Sequence, residues 1–227
     1  MAAVNVSEMR TAEAAALAAG WSEEALLDHA GERLGQAVGR FFPHPGTVIG
    51  YLGKGHNAGD TLVALRVLRD DLGWKIATRQ AFPLDDCARL MIRKWQQLGL
   101  AASLDHAPSA LDLPAPLVLL DGLLGTGSRG TLSAPLLALA AEMAWLRHES
   151  GAQIAAVDQP TGMDADTGVS VPGGVTADIT FMIGNAKRGL LTGHAAHATG
   201  ALALVQVDPL TTGATLESTV IDRRYRL

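Results

Sequence analysis

A chain of 227 residues in which 48% are apolar carries enough hydrophobic material for one substantial core, so a single domain over residues 1–227 is expected. A net charge of -5 without any Lys/Arg run excludes general nucleic-acid binding, because no positive face is offered to a phosphate backbone. Cys87 is the sole cysteine, which excludes an internal disulfide, and the apolar windows are too short or too charged to span a bilayer, so a cytoplasmic protein without membrane attachment is expected.

In chain order, Ser7 is placed to cap a first helix running to about Ala19 and stopped by Gly20. Ser22 would cap a second, with Glu23 and Glu24 in its positive first turn and with Leu26, Ala30, Leu34, Ala37, Val38 and Phe41 on one stripe that should lie on a sheet. Pro43 and Pro45 end it. Thr47–Leu52 reads as an apolar strand, Gly53–Gly59 as a glycine-rich loop and Asp60–Leu72 as a helix. That succession aims free backbone N–H groups at an anion, a nucleotide phosphate being the obvious candidate. Gly53, Gly55 and Gly59 give GxGxxxG, which matches neither the dinucleotide fingerprint nor the P-loop, so a turn without a ligand stays open at this point.

A second strand over Trp74–Gln80 follows, then an amphipathic helix over Leu84–Leu98 and a short apolar segment near Ala101–Leu104. Leu117–Asp121 and Ile154–Asp158 are nearly all-apolar runs that end in a carboxylate, the pattern of strands covered on both faces. Leu132–His148 supplies the helix between them, and Asp178–Ile183 and Ala201–Val207 are the last two strands. Residues 217–227 read as a frayed tail or the start of a missing C-terminal domain. Strands alternating with helices predict an α/β fold with a mainly parallel sheet, whose ligands sit beyond the carboxyl ends of the strands. The loops after Leu52, Leu120 and Val157 would then share one edge.

Those loops carry Asn57 and Asp60, then Asp121, then Asp158, Thr161, Asp164 and Asp166. Carboxylates at the ends of buried strands need a partner or a cation, and oxygen donors without a Cys/His cluster suit a hard cation, either magnesium or potassium. Helix capping or loop pinning by Asp121 and Asp158 is the purely structural alternative.

Four segments in this order carry a resemblance: GKGHNAGD at Gly53–Asp60, LLDGLLGTGSRG at Leu119–Gly130, VDQPTGMDADTG at Val157–Gly168 and ADITFMIGNAKRGLL at Ala177–Leu191. With Met9, Arg10, Glu13, Gly20, Ala30 and Gly31 near the N-terminus, they resemble the NAD(P)H-hydrate epimerase family over about Met9 to Val207. The resemblance implies a Rossmann-like three-layer α/β/α sandwich that interconverts the R and S forms of hydrated NADH or NADPH, with potassium in its site. It also implies a functional partner, an NAD(P)H-hydrate dehydratase that in many bacteria is fused to the same chain, and it suggests a homodimer.

Carried over by that resemblance, Asn57, Asp121 and Thr161 would hold potassium. His56, Asn57, Ala58, Gly59 and Asp60, with Gly125, Thr126, Gly127, Ser128, Arg129, Gly130 and Thr131, would enclose the substrate, and Asp158 would touch it and is the candidate base. His56, Ala58, Thr61 and Thr161 replace the family's Asn, Gly, Gly and Ser. Thr161 keeps the hydroxyl, whereas a positive φ at Ala58 would cost about 1–2 kcal/mol. Gln159 stands where the family has an apolar residue, and Lys187 either positions the crevice or a phosphate or is solvated. Two other readings stay open: a non-catalytic nucleotide- or protein-binding scaffold on the same fold, and a hydride-transferring dehydrogenase in which Arg79 would meet a 2′-phosphate.

Overall fold

The computed structural model describes residues 3–100, 103–106, 113–127, 130–211 and 220–221. It opens with a short strand β1 (Ala3–Val4) and helix α1 (Val6–Ala18). Asn5, not Ser7, starts α1: its side chain accepts from the Glu8 N–H at 2.7 Å, and the Glu8 carboxylate accepts from the Asn5 N–H at 2.8 Å, a reciprocal capping box. Helix α2 (Glu23–Phe41) is capped as expected by Ser22, whose Oγ accepts from the Ala25 N–H at 3.1 Å.

Strand β2 (Thr47–Leu52) and helix α3 (His56–Asp70) follow, then β3 (Lys75–Gln80), α4 (Arg89–Leu98), β4 (Leu117–Gly122), α5 (Ala134–Ser150) and β5 (Gln153–Val157). The chain continues through β6 (Ile179–Ile183), β7 (Ala186–Lys187), α6 (Ala196–Thr199), β8 (Ala201–Val205) and β9 (Val220–Ile221). The main sheet has seven strands in the order β3-β2-β4-β5-β6-β8-β9, and every neighbouring pair is parallel except β8 with β9. Every residue of β2, β4 and β6 is buried, as continuous apolar runs in a doubly covered sheet require.

Alternate residues of the sheet feed opposite layers. Val48, Leu52, Val118 and Leu120 pack with Leu34, Leu62 and Met91 from α2, α3 and α4, whereas Ile49, Tyr51, Leu119 and Ile154 pack with Leu136 and Met143 from α5. The result is a three-layer α/β/α sandwich. Leu26, Ala30, Leu34 and Val38 of α2 are buried, and α2 reaches β6 and β8 as well as α3. Gly31 and Gly35 allow the α3 approach, since a Cβ on them would stand 2.4 Å from the Val63 Cβ and 2.8 Å from the Val67 Cβ.

Three boundaries differ from expectation. α3 begins at His56, so the glycine-rich loop shrinks to Gly53–Gly55. The helix expected over Leu84–Leu98 is a 3₁₀ turn at Leu84–Asp86 followed by α4, because the Ala88 N–H leaves the helical ladder to donate to Lys54 O at 2.8 Å. Within 217–227, Val220–Ile221 is not frayed but pairs with β8, and the rest of that tail lies outside the described residues, as do Ala101 and Ala102. None of the described helices is long and apolar enough to cross a membrane.

β4 lies on the far side of β2 from β3, so the winding reverses between β2 and β4. In such sheets the crevice at this reversal takes the ligand. β2, β4 and β5 are successive neighbours, which puts the loops after Leu52, Leu120 and Val157 on one edge.

Candidate active site

At that reversal the loops after β2 and β4 touch through backbone. A Cβ on Gly53 would fall 1.8 Å from Leu123 O, so only glycine permits the contact. Gly55 starts α3 without any side-chain cap, leaving the N–H groups of the first turn for another acceptor. Ala58 sits inside α3 with helical backbone and carries no strain, since Asp158 is the only non-glycine residue of positive φ among those described. Asn57 is buried and its Nδ2 has no partner.

Asp121 closes β4 with its side chain fully buried. Its Oδ2 accepts from the Thr161 N–H at 2.7 Å, and its Oδ1 accepts from the Thr161 hydroxyl at 2.7 Å and the Leu123 N–H at 3.3 Å. Burial pushes this carboxyl up from an ordinary 3.8 to about 6, against the downward pull of the bonds from Thr161 and Leu123. The Leu124 N–H donates to Thr161 Oγ1 at 3.1 Å, and Gly125 lies against Asn57, 3.5 Å separating a Cβ built there from Asn57 Oδ1. Segment 123–125 thus brings Asn57, Asp121 and Thr161 to one place. Among the described residues no group of three or more His, Cys, Asp or Glu side chains could hold a metal. The buried Asp121 carboxylate, the Thr161 hydroxyl and the Asn57 amide oxygen are instead hard donors of the kind an alkali cation takes.

Gln159 acquires a reason. Fully buried, it donates from Nε2 to Met163 O at 2.8 Å and to Gly125 O at 3.3 Å, tying the loop after β5 to the loop after β4. Asp158, just before it, has a left-handed backbone with φ of 67°. Its Oδ1 accepts from the Ile183 N–H at 3.1 Å and from Lys187 Nζ, which also donates to Ile183 O at 2.7 Å. Lys187 is neither solvated nor free for a phosphate; it is buried and paired with Asp158.

Two adjoining lobes of about 190 and 440 Å3 open here, and Met9, Glu13, His56, Asp60, Thr126 and Asp158 line both. Lys187 borders the smaller lobe; Lys54, Asn57, Gly125 and Gly127 border the larger. Asp60 is held well above the usual carboxylate range by burial and by the charges of Asp158 and Glu13. Ala58 and Gly59 face helix packing instead, Gly59 against Leu27, while Gly130 and Thr131 are exposed. Ser128 and Arg129 lie outside the described residues. The pairing of Lys187 with Asp158 and the presence of Glu13 and Arg10 at the cavity were not among the expected contacts; the resemblance at Met9–Glu13 was the only signal for the latter.

Arg79 is not available to a 2′-phosphate. Its Nε and Nη2 donate to Glu142 at 2.8 and 2.6 Å, and the Tyr51 hydroxyl donates to the same carboxylate at 2.9 Å. That removes the feature which favoured a dehydrogenase.

Comparison with known proteins agrees with this geometry. A family model described as YjeF-related protein N-terminus matches residues 23–189. The bifunctional NAD(P)H-hydrate repair enzyme Nnr of Gloeobacter violaceus is 34% identical over 195 residues, covering 82% of this chain and 36% of that one. The enzyme of the same name from Pyrobaculum aerophilum is 33% identical over 208 residues, covering 89% and 41%. The NAD(P)H-hydrate epimerase of Rhodobacter capsulatus is 29% identical over 187 residues, covering 78% and 84%. This chain therefore spans well under half of the bifunctional relatives and most of the shorter epimerase. The crystal structure of yeast YNL200c shares the fold, with a TM-score of 0.72 at 18% identity over 90% of this chain and 88% of the yeast chain. With a family match across most of its length and the corresponding motifs gathered on one sheet edge, this chain belongs to the family of YjeF-related protein N-termini.

Proposed function

We propose that the chain is an NAD(P)H-hydrate epimerase, interconverting the R and S forms of hydrated NADH and NADPH. One observation carries the reading: Asp158, paired with buried Lys187, borders both lobes of a crevice whose other walls are the glycine loop at the α3 start and the Gly125–Gly127 segment. Inverting the hydroxylated ring carbon requires a bond to it to be broken and remade, assisted by the neighbouring ring nitrogen, and this needs a base and a fixed electrostatic environment. Lys187 and the Ile183 N–H hold Asp158 in place for the first task. The uncapped N–H groups of α3 suit the coenzyme's phosphates.

Asn57, Asp121 and Thr161 would hold potassium, which when bound supplies positive charge beside the buried Asp121. The same reading gives the chain a dehydratase as functional partner, a cytoplasmic setting and a homodimeric state; relatives named bifunctional repair enzymes support the first of these.

The test is exchange between the R and S hydrates, followed by NMR. Asp158→Asn should slow it by at least about 10²-fold, the usual worth of a general base, with the hydrate still bound. Equilibration at the wild-type rate would remove Asp158 from that role. Hydrate binding by the wild-type chain with an unchanged epimer ratio would make it a scaffold instead.

A further inference from the structure

Glu13 and Glu23 stand apart from the other acids of α1 and α2. Glu8 closes the α1 capping box and pairs with Arg188, Glu24 and Asp28 pair with Lys94, and Glu32 pairs with Arg66. Neither Glu13 nor Glu23 makes a hydrogen bond or ion pair among the described residues; Glu23 lines only the smaller lobe, whereas Glu13, exposed along α1, lines both lobes of the cavity. Its neighbours on the same helix face, Met9 and Leu17, also line the smaller lobe, so the helix is turned with this face over the crevice.

The helix is fixed in that attitude. β1 pairs in parallel with β7, matching Val4 to Lys187, and the Val6 N–H donates to Asp166 Oδ1 at 2.7 Å. Arg188, next to Lys187, binds the Glu8 carboxylate at 2.9 Å and Ala3 O at 3.1 Å. Met9 is buried against Gly184. The segment that holds the Lys187–Asp158 pair therefore also holds the start of α1, and Glu13 is delivered from a different element to the same cavity.

We infer that Glu13 is a second catalytic residue of the proposed epimerisation, the proton donor that works against Asp158. Any route to inversion moves two protons. In the direct route the donor's O–H proton goes to the departing hydroxyl oxygen, the C–O bond breaks as the ring nitrogen lone pair forms C=N⁺, and water leaves. Water then adds to the opposite face of that carbon, a new C–O bond forms, C=N⁺ returns to a C–N single bond, and Asp158 takes the proton. Nothing is oxidised or reduced, and the two carboxyl groups exchange protonation states before the next turnover in that direction.

The surroundings suit that division. Asp158 has the buried Lys187 cation and a backbone N–H. Glu13 shares the cavity with the acids Asp158 and Asp60 and with Lys187, His56 and Arg10; partial desolvation, with the Asp158 charge next, holds its carboxyl above the ordinary range against the three cationic groups. Asp60 is the competing donor, and the experiment must separate the two.

The inference rests on the epimerase reading. The experiment measures R/S exchange against pH for wild type, Glu13→Gln and Asp60→Asn, with a ¹³C NMR titration of the glutamate carboxyls. Glu13→Gln should reduce kcat about 10²-fold or more with little change in KM, and should lose the fall in rate on the alkaline side that wild type shows. In wild type the Glu13 signal should titrate above the glutamates outside the cavity and move down in Asp158→Asn. A folded Glu13→Gln enzyme with the wild-type rate and pH profile, an alkaline limb lost only in Asp60→Asn, or a Glu13 signal titrating with the glutamates outside the cavity would each overturn the assignment while leaving the epimerase reading intact. A wild-type chain without exchange would overturn that reading, and this role with it.

Discussion

Asp158 pays for its position with backbone strain: a left-handed conformation at a residue with a Cβ costs about 1–2 kcal/mol, and the Ile183 and Lys187 contacts hold it there. Asp121 stores free energy differently. Its carboxyl is raised to about 6, so the folded chain binds more protons than the unfolded one between the ordinary 3.8 and that value. Its contribution is present below about 3.8 and is lost as pH rises through about 6, on the order of 3 kcal/mol in all. Melting curves taken across this range in potassium-free buffer should show that decline, and potassium at neutral pH should reverse it. Asp121→Ala should abolish the potassium response; a melting shift as large as that of wild type would discard the assigned ligand set. Asp121 and Asp158 could be singled out in the sequence because each ends a buried apolar run, and Thr161 because it is an oxygen donor in the loop that follows. The pairing of Lys187 with Asp158 could not be, because a lysine stays undecided between positioning the crevice and being solvated until a distant strand is known to cover it.

Among the elements, α2 and α3 show how far local pattern reaches. The apolar stripe of α2 marked its buried face, but not that a helix would share that face with the sheet. Gly31 carries the difference. Gly31→Ala should gain about 1 kcal/mol from helix propensity alone, yet the new methyl would fall 2.4 Å from the Val63 Cβ. The net result should be a loss of about 1–3 kcal/mol in urea unfolding, the usual cost of overpacking; a stabilised variant would show that the two helices part easily. The early start of α3 and the break before α4 escaped the periodicity for a related reason. Both occur where the chain meets the glycine loop, and the Ala88 N–H bond to Lys54 O is a tertiary contact that no local rule contains.

At the scale of the whole molecule, the alternation of strands and helices specified the parallel sandwich, and the strand order then decided that three separated motifs meet. What pattern could not supply was the cover over the crevice, since α1 is seated by a two-residue pairing too short to announce itself. Deleting residues 1–5 should therefore spare the cooperative unfolding of the main sheet, which β1 does not join, while cutting hydrate exchange at least about tenfold through misplaced groups. Full exchange activity in the trimmed chain would show that α1 is seated without β1.

The pairing of Val4 with Lys187 also makes the proposed activity answerable to proteolysis at the margin of the molecule. Under the proposed epimerase reading, a nick just ahead of α1 would leave a protein that still folds and still resists urea but exchanges the hydrates more slowly. Bulk stability assays would miss such damage, and only turnover would report it.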